Sequence, residues 1–205
     1  MDITIDKALC LKKLEWIGIL HVATVDAQGR PQVRCVSAIH FEPDAIYFYT
    51  ARGKSFAHQL EKSGYVQMEG LTKYKEMIRL SGRAEKAADQ KRWMDKIFEE
   101  QPYLINVYPR DTREIGIIYC VKDATIEYFN LGVHPILRYY FTMGNARLEP
   151  KGYEIGNDCI GCATCESVCP EGAIDEGEPF SIRQENCLQC GNCFEHCPVG
   201  AIHER

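Results

Sequence analysis

Eight of the eleven cysteines fall in two runs of identical spacing, and this repeat constrains the fold more than any other feature. The first run is Cys159, Cys162, Cys165 and Cys169-Pro170; the second is Cys187, Cys190, Cys193 and Cys197-Pro198. Both read C-x-x-C-x-x-C-x-x-x-C-P. Three thiolates at every third position can curl round one face of an iron-sulfur cube, with Gly161 and Gly191 letting the backbone approach the sulfides. The fourth cysteine is carried away from its own loop, and the proline after it stops the turn from continuing. Structural zinc knots also use C-x-x-C pairs, but they need only four ligands in two pairs. Zinc therefore leaves the third cysteine and both Cys-Pro endings unexplained. Disulfides call for an oxidising compartment, whereas the opening Met1-Asp2-Ile3-Thr4-Ile5-Asp6 has neither the basic head nor the apolar core of a secretory signal.

From about Tyr153 to His203 the chain resembles the bacterial ferredoxins with two 4Fe-4S clusters. The repeat extends to Gly172-Ala173-Ile174 after the first proline and Gly200-Ala201-Ile202 after the second. In such ferredoxins the last cysteine of each run ligates the other cluster. The resemblance thus implies one cluster on Cys159, Cys162, Cys165 and Cys197, and another on Cys187, Cys190, Cys193 and Cys169.

A chain of 205 residues has room for a medium domain beside this module, so two domains are expected, with 45% hydrophobic residues as in ordinary globular proteins. The net charge of -5 argues against nucleic acid as a main partner, because phosphate contacts need a basic face. Acidic residues of the cysteine module, among them Glu154, Asp158, Glu166 and Glu171, read as a solvated surface, with steering of a basic redox partner as the functional alternative. No apolar run approaches the roughly 20 residues of a membrane span, and the expected compartment is the reducing cytoplasm.

Along the chain, Asp6 caps a helix running to Trp16, with Ala8, Leu9, Leu11, Leu14 and Trp16 as its apolar positions and Gly18 as its end. Strands are expected at 19–25 and 32–41, joined by a turn at Asp26-Ala27-Gln28-Gly29, and at 45–50, all antiparallel because the links are short. A helix at 55–62, strands at 65–71 and 76–85, and a helix from the Asp89 cap to Glu100 follow. Two segments, 115–122 and 124–131, complete the set as a hairpin. The expected fold class is mainly β with helices: an antiparallel split β-barrel over residues 1–131, a packed connector over 132–152, and a small α+β ferredoxin-like iron-sulfur module over 153–205.

Within the barrel, Ala23-Thr24-Val25, Gly29-Arg30-Pro31-Gln32, Arg34, Tyr47-Phe48-Tyr49-Thr50, Ala57-His58-Gln59-Leu60-Glu61 and Ser81-Gly82-Arg83-Ala84-Glu85 follow one another as in the flavin-binding split barrels of the pyridoxamine 5'-phosphate oxidase superfamily. The resemblance implies FMN, with Arg34, Tyr49, Thr50, Lys54 and Ser55 as its contacts, and a homodimer. Chemistry agrees, since a flavin phosphate needs cations and hydroxyls gathered near helix amides. The chain departs from the family at Ser55-Phe56, where adjacent basic residues are usual, at Met77, where a flavin-contacting glutamine falls, and after the barrel, where the oxidases' substrate-binding region is replaced. Oxidation of pyridoxamine phosphate is therefore not expected.

His21, His40, His58 and His134 have no evident charge partner in sequence and read as packed or surface side chains. Cys10, Cys35 and Cys120 read as small buried hydrophobes, with Cys35, beside Arg34, the one to test. Tyr139, Tyr140 and Phe141 read as ordinary core. Taken together, the expected function is a flavin-dependent iron-sulfur oxidoreductase passing electrons between FMN and two 4Fe-4S clusters, with no side chain acting as acid or base and a redox protein or small molecule as partner. The alternatives are a non-catalytic electron carrier or redox sensor, or a barrel holding another cofactor such as a deazaflavin.

Overall fold

The computed structural model describes residues 4–205; the opening residues Met1, Asp2 and Ile3, on which the absence of a secretory signal was partly read, lie outside them. By its internal contacts the chain divides into two compact units. One takes in the chain up to Thr72 with Met77–Glu127 and Tyr140–Arg147, and the other Lys73–Glu76, Tyr128–Tyr139 and Leu148–Arg205.

The first helix, α1 (Lys7–Ile17), starts where Asp6 accepts a hydrogen bond from the Leu9 amide and stops at Gly18, whose φ of 72° only glycine adopts readily. It buries Cys10, Leu11 and Leu14, while Trp16 stays 68% exposed, so the apolar face is narrower than the composition implied. Strands β1 (Leu20–Val25), β2 (Pro31–Val36), β3 (Ile39–Glu42), β4 (Ala45–Ala51), β5 (Tyr65–Leu71), β6 (Glu76–Lys86) and β7 (Gly116–Asn130) form an antiparallel ladder in the order β2-β1-β5-β6-β7-β4-β3, and β8 (Leu137–Met143) pairs with β7. Three helices complete the frame: α2 (Ser55–Ser63), α3 (Gln90–Glu100) capped by Asp89, and the single turn α4 (Leu104–Val107).

Two expectations need correction. The single strand over 32–41 is two: the backbone bends at Ser37-Ala38, leaving β2 on β1 and delivering β3 to β4, so consecutive segments occupy the two ends of the ladder. A strand that changes partners at a bend is how an open sheet is drawn into a barrel. The expected hairpin at Asp123 is one continuous strand, β7. Its exposed Lys122-Asp123 pair resembles a turn in composition, but the positive φ angles that a two-residue hairpin demands occur at neither residue. Instead, the Asp123 carboxylate accepts the Asn145 amide at 2.6 Å.

The β1–β2 turn falls where expected and is built around Asp26. Its carboxylate accepts the amides of Gln28 and Arg30 at 2.9 and 3.0 Å and the Arg30 Nε at 2.9 Å. The Arg30 amide, followed by the other donors, holds the Asp26 carboxyl below its ordinary 3.8. A depressed carboxyl stabilises the fold above that value and loses its contribution as pH falls through the folded-state pKa. The stability gap between wild type and Asp26→Asn, measured by urea midpoints, is therefore expected at neutral pH and should close as pH falls below 3.8.

In the second unit, β9 (Tyr153–Ile155) pairs antiparallel with β12 (Ile202–Glu204), and β10 (Ile174–Asp175) with β11 (Ser181–Ile182). Between them lie the short helices α5 (Thr164–Val168) and α6 (Asn192–His196). Their small core joins Cys165, Ile174, Phe180, Cys193 and Ile202, so two cysteines of the repeat are part of the packing itself. The connector region contributes a strand, β8, with the Tyr140 hydroxyl 3.3 Å from Glu127 and the Tyr139 ring 6.4 Å from that of Tyr128.

Candidate functional site

Each cysteine run bends through two left-handed residues at matching positions. In the first these are Gly161 (φ 69°) and Ala163 (φ 59°), in the second Gln189 (φ 59°) and Gly191 (φ 81°). A left-handed alanine or glutamine costs about 1 kcal/mol, a strain typical of sites where the loop shape matters more than its own stability. At Gly191 the positive φ favours glycine, and a Cβ would also sit 3.0 Å from the Tyr153 hydroxyl. The repeat continues past each Cys-Pro: the Ala173 amide donates to Cys169 Sγ and the Ala201 amide to Cys197 Sγ, both at 3.3 Å. The Gln189 amide donates to Cys187 Sγ at 3.3 Å, and Thr164 Oγ1 lies 3.4 Å from Cys162 Sγ.

The eight sulfurs surround two cavities, and each draws on both runs. One is lined by Cys169, Cys187, Cys190 and Cys193, with Tyr153, Leu188 and Gly191 among its walls. The other is lined by Cys159, Cys162, Cys165 and Cys197, with Ile160, Phe180 and Val199. Burial pushes the Cys193 thiol up to about 11, and the nearby Cys187, Cys190 and Cys169 add to the effect. Four sulfurs round an apolar pocket are the donor set that an iron-sulfur cube would take. Arg183 closes the loop behind them, meeting Asp175, the Gly172 carbonyl and, at 3.3 Å, Asn186 Oδ1.

In the barrel, Arg34 on β2 is half-buried. Its Nη1 donates to the Val22 carbonyl at 3.1 Å, Thr24 Oγ1 at 2.6 Å and the Gln32 carbonyl at 3.2 Å, and its Nη2 to Gln59 Oε1 at 2.8 Å. The guanidinium lies over the Phe56 ring, 4.5 Å from its centroid, and burial lowers its pKa. Phe56 follows Ser55, which with Lys54 forms the exposed start of α2. Thr50 lies just before them at the end of β4, 4% exposed. Thr50, Lys54 and Ser55 thus follow one another from the end of β4 into α2, and Arg34 lies over the ring of Phe56, the next residue of that helix. The structure does not bring Tyr49 there. Strand alternation turns Tyr49 to the opposite face, where it packs edge-on against Phe98 and Tyr108 and donates to the Arg113 carbonyl at 3.0 Å. Burial pushes its hydroxyl up to about 12.

Sequence reasoning missed Thr24 and Gln59, which hold Arg34, because they lie 10 and 25 residues from it and meet only across the fold. It also missed Arg52, whose guanidinium donates to the carbonyls of Glu114 and Gly116 at the mouth of a cavity of ≈ 490 Å³. His40 does have charge partners: Glu100 at 2.8 Å and Glu42 at 2.9 Å, one at each ring nitrogen. Cys10 and Cys120 are buried as expected, but Cys35 is exposed because it faces outward on β2.

The pyridoxamine 5'-phosphate oxidase family model matches residues 12–107, and the 4Fe-4S dicluster domain model matches residues 158–201. The chain joins an oxidase-like split barrel to a 4Fe-4S dicluster domain. Solved structures similar to it share the barrel. A NimC/NimA family protein from Clostridium acetobutylicum has a TM-score of 0.54 at 18% identity, covering 64% of this chain and 90% of that one. A protein related to general stress protein 26, from the same organism, has a TM-score of 0.53 at 14% identity, with coverage of 67% and 96%. PhzG from Burkholderia lata, solved with tetrahydrophenazine-1-carboxylic acid, has a TM-score of 0.51 at 13% identity, with coverage of 71% and 94%. At these identities the likeness is one of fold. Among curated proteins, none matches this chain. Among the described residues, no helix of the oxidase-like barrel or the dicluster domain is long and apolar enough to cross a membrane.

Proposed function

We propose that the chain is a flavin-dependent iron-sulfur oxidoreductase, in which FMN held by the barrel exchanges electrons with two 4Fe-4S clusters held by the cysteine repeat. The observation that carries this reading is the anion-donor corner of an oxidase-like barrel on the same chain as a dicluster domain. Lys54 and Ser55 offer a cation, a hydroxyl and the first amides of α2 to a phosphate, and Thr50 adds a second hydroxyl. Arg34 supplies the positive field beside them, held in one orientation by Thr24 and Gln59. The cysteines hold the clusters in the two interlocked sets, with the amides of Ala173, Ala201 and Gln189 donating to the sulfurs of Cys169, Cys197 and Cys187. When bound, FMN supplies the exchange between electron pairs and single electrons, and the clusters supply single-electron steps. No side chain of this chain is assigned as acid or base.

A second copy of the chain and an external electron donor or acceptor are the proposed partners. An apolar cavity of ≈ 370 Å³ on β1, β5 and β6, with Tyr65 62% exposed at its rim, supports a self-association face. The test is anaerobic purification followed by mass identification of the released pigment, with iron and sulfide content. FMN is expected at one per chain in the wild type and at less than about a tenth of that affinity in Lys54→Ala/Ser55→Ala. A deazaflavin, or no pigment at all, would overturn the flavin assignment. Absence of turnover with artificial acceptors would turn the reading toward an electron carrier.

A further inference from the structure

Ile136, directly before β8, is buried and tied through both its amide and its carbonyl to loops that carry one set of cysteines. Its amide donates to Glu171 Oε2 at 2.9 Å, and its carbonyl accepts Asn186 Nδ2 at 2.9 Å. Glu171 directly follows Cys169-Pro170 and Asn186 directly precedes Cys187, so one residue holds the approaches to two cysteines from different runs. Those two cysteines line the same cavity, and Glu171 lines it with them. All of these residues belong to the second unit.

The ties are secured from behind as well. His134 Nδ1 lies 3.1 Å from the same Glu171 oxygen. The buried Asn186 accepts Arg183 Nε at 3.3 Å on its Oδ1, and Arg183 reaches on to the carbonyl of Gly172, the neighbour of Glu171. Asn192 Nδ2 links the runs directly, donating at 2.6 Å to the carbonyl of Val168, the residue before Cys169.

The internal repeat supplies the comparison. Position for position, Asn186 before the second run corresponds to Asp158 before the first, and Glu171 after the first Cys-Pro to Val199 after the second. Asp158 is exposed and Val199 is 44% exposed. Two positions hydrogen-bonded to Ile136 beside one cysteine set are thus open to solvent beside the other. Groups that orient metal ligands from behind alter metal retention by about 10- to 100-fold when removed.

We propose that Ile136 braces one cluster only: Asn186 and Glu171 act as positioning residues that hold the approaches to Cys187 and Cys169, so the cluster on Cys169, Cys187, Cys190 and Cys193 is retained when the one on Cys159, Cys162, Cys165 and Cys197 is lost. This brace rests on the dicluster assignment of the proposed function and is independent of what the barrel binds. Neither residue is a ligand.

The test is iron release from the anaerobically purified full chain into an excess of a ferrous chelator, followed by absorbance. Wild type is expected to lose its iron in a fast and a slow phase. Cys169→Ser, which retains the open set, should show only the fast phase, and Cys197→Ser, which retains the braced set, only the slow one. On the Cys197→Ser background, Asn186→Ala and Glu171→Ala should each speed release at least about tenfold. On the Cys169→Ser background the same changes should leave the rate where it was. Glu171→Gln keeps an acceptor for the Ile136 amide and should restore the slow rate, a rescue that separates the hydrogen bond from the charge. A single phase in wild type, equal rates in the two cysteine variants, or a glutamine variant as fast as the alanine one would each overturn the proposal. Faster release on both backgrounds would also overturn it, in favour of a general role in the stability of the unit. If the alanine variants load no iron, Glu171→Gln and Asn186→Asp carry the same comparison, because aspartate loses the donor to the Ile136 carbonyl; equally slow release from the two would overturn the proposal. Wild-type protein lacking iron would instead remove the dicluster assignment beneath it.

Discussion

Cys169→Ser is expected to empty the cluster that the other run of cysteines builds. Because Cys169 shares its cavity with Cys187, Cys190 and Cys193, its loss should cost about half of the iron and sulfide and spare the set on Cys159, Cys162, Cys165 and Cys197. Double substitutions make the result decisive. Cys169→Ser/Cys190→Ser removes two ligands of the same cluster and should retain the same half of the iron. Cys169→Ser/Cys162→Ser removes one ligand from each and should retain almost none. Ligation of each cluster by its own run predicts the reverse pattern. Iron and sulfide analysis of anaerobically purified protein reads the outcome directly.

Gly116→Ala is expected to be among the most damaging single changes in the barrel. A Cβ at this position would lie 1.8 Å from Cε2 and 2.3 Å from Cζ of the Tyr49 ring. The ring has little room to move, because it is 5% exposed, set edge-on between Phe98 and Tyr108 and anchored by its hydroxyl to the Arg113 carbonyl. Overpacking of this kind costs about 3 kcal/mol. The cause is testable by a double-mutant cycle measured by chemical denaturation. On a Tyr49→Ala background the cost of Gly116→Ala should fall below about 1 kcal/mol, since the clash has been removed. A cost that is unchanged on that background would assign the damage to the backbone at Gly116 and clear Tyr49.

The same two residues show where reading from sequence runs out. Tyr49 and Thr50 are neighbours in a family-like motif, and both were expected at the flavin corner. A strand sends adjacent side chains to opposite faces, so only Thr50 lies on the Arg34 side while Tyr49 closes the core beneath α3. Alternation itself is legible in sequence, but which face becomes the core depends on where α3 packs. The same holds for His40: its partner Glu100 is 60 residues away, and only the packing of α3 against β3 brings the two together.

By itself, the amino-acid order determined the dicluster domain, its internal repeat, the caps of α1 and α3 and the kind of barrel. The cysteine spacing and the caps are encoded at short range, each complete within a dozen residues, whereas the barrel and the dicluster domain are legible through resemblance, from motifs ordered over Ala23 to Glu85 and Tyr153 to His203. Tertiary structure alone decided that β2 and β3 part at Ser37-Ala38, that β7 runs unbroken through Lys122-Asp123, that Thr24 and Gln59 hold Arg34, and that Ile136 is tied to Glu171 and Asn186. Each of these joins residues far apart in the chain, and its energy comes from burial and hydrogen bonds that exist only once the distant segments have met.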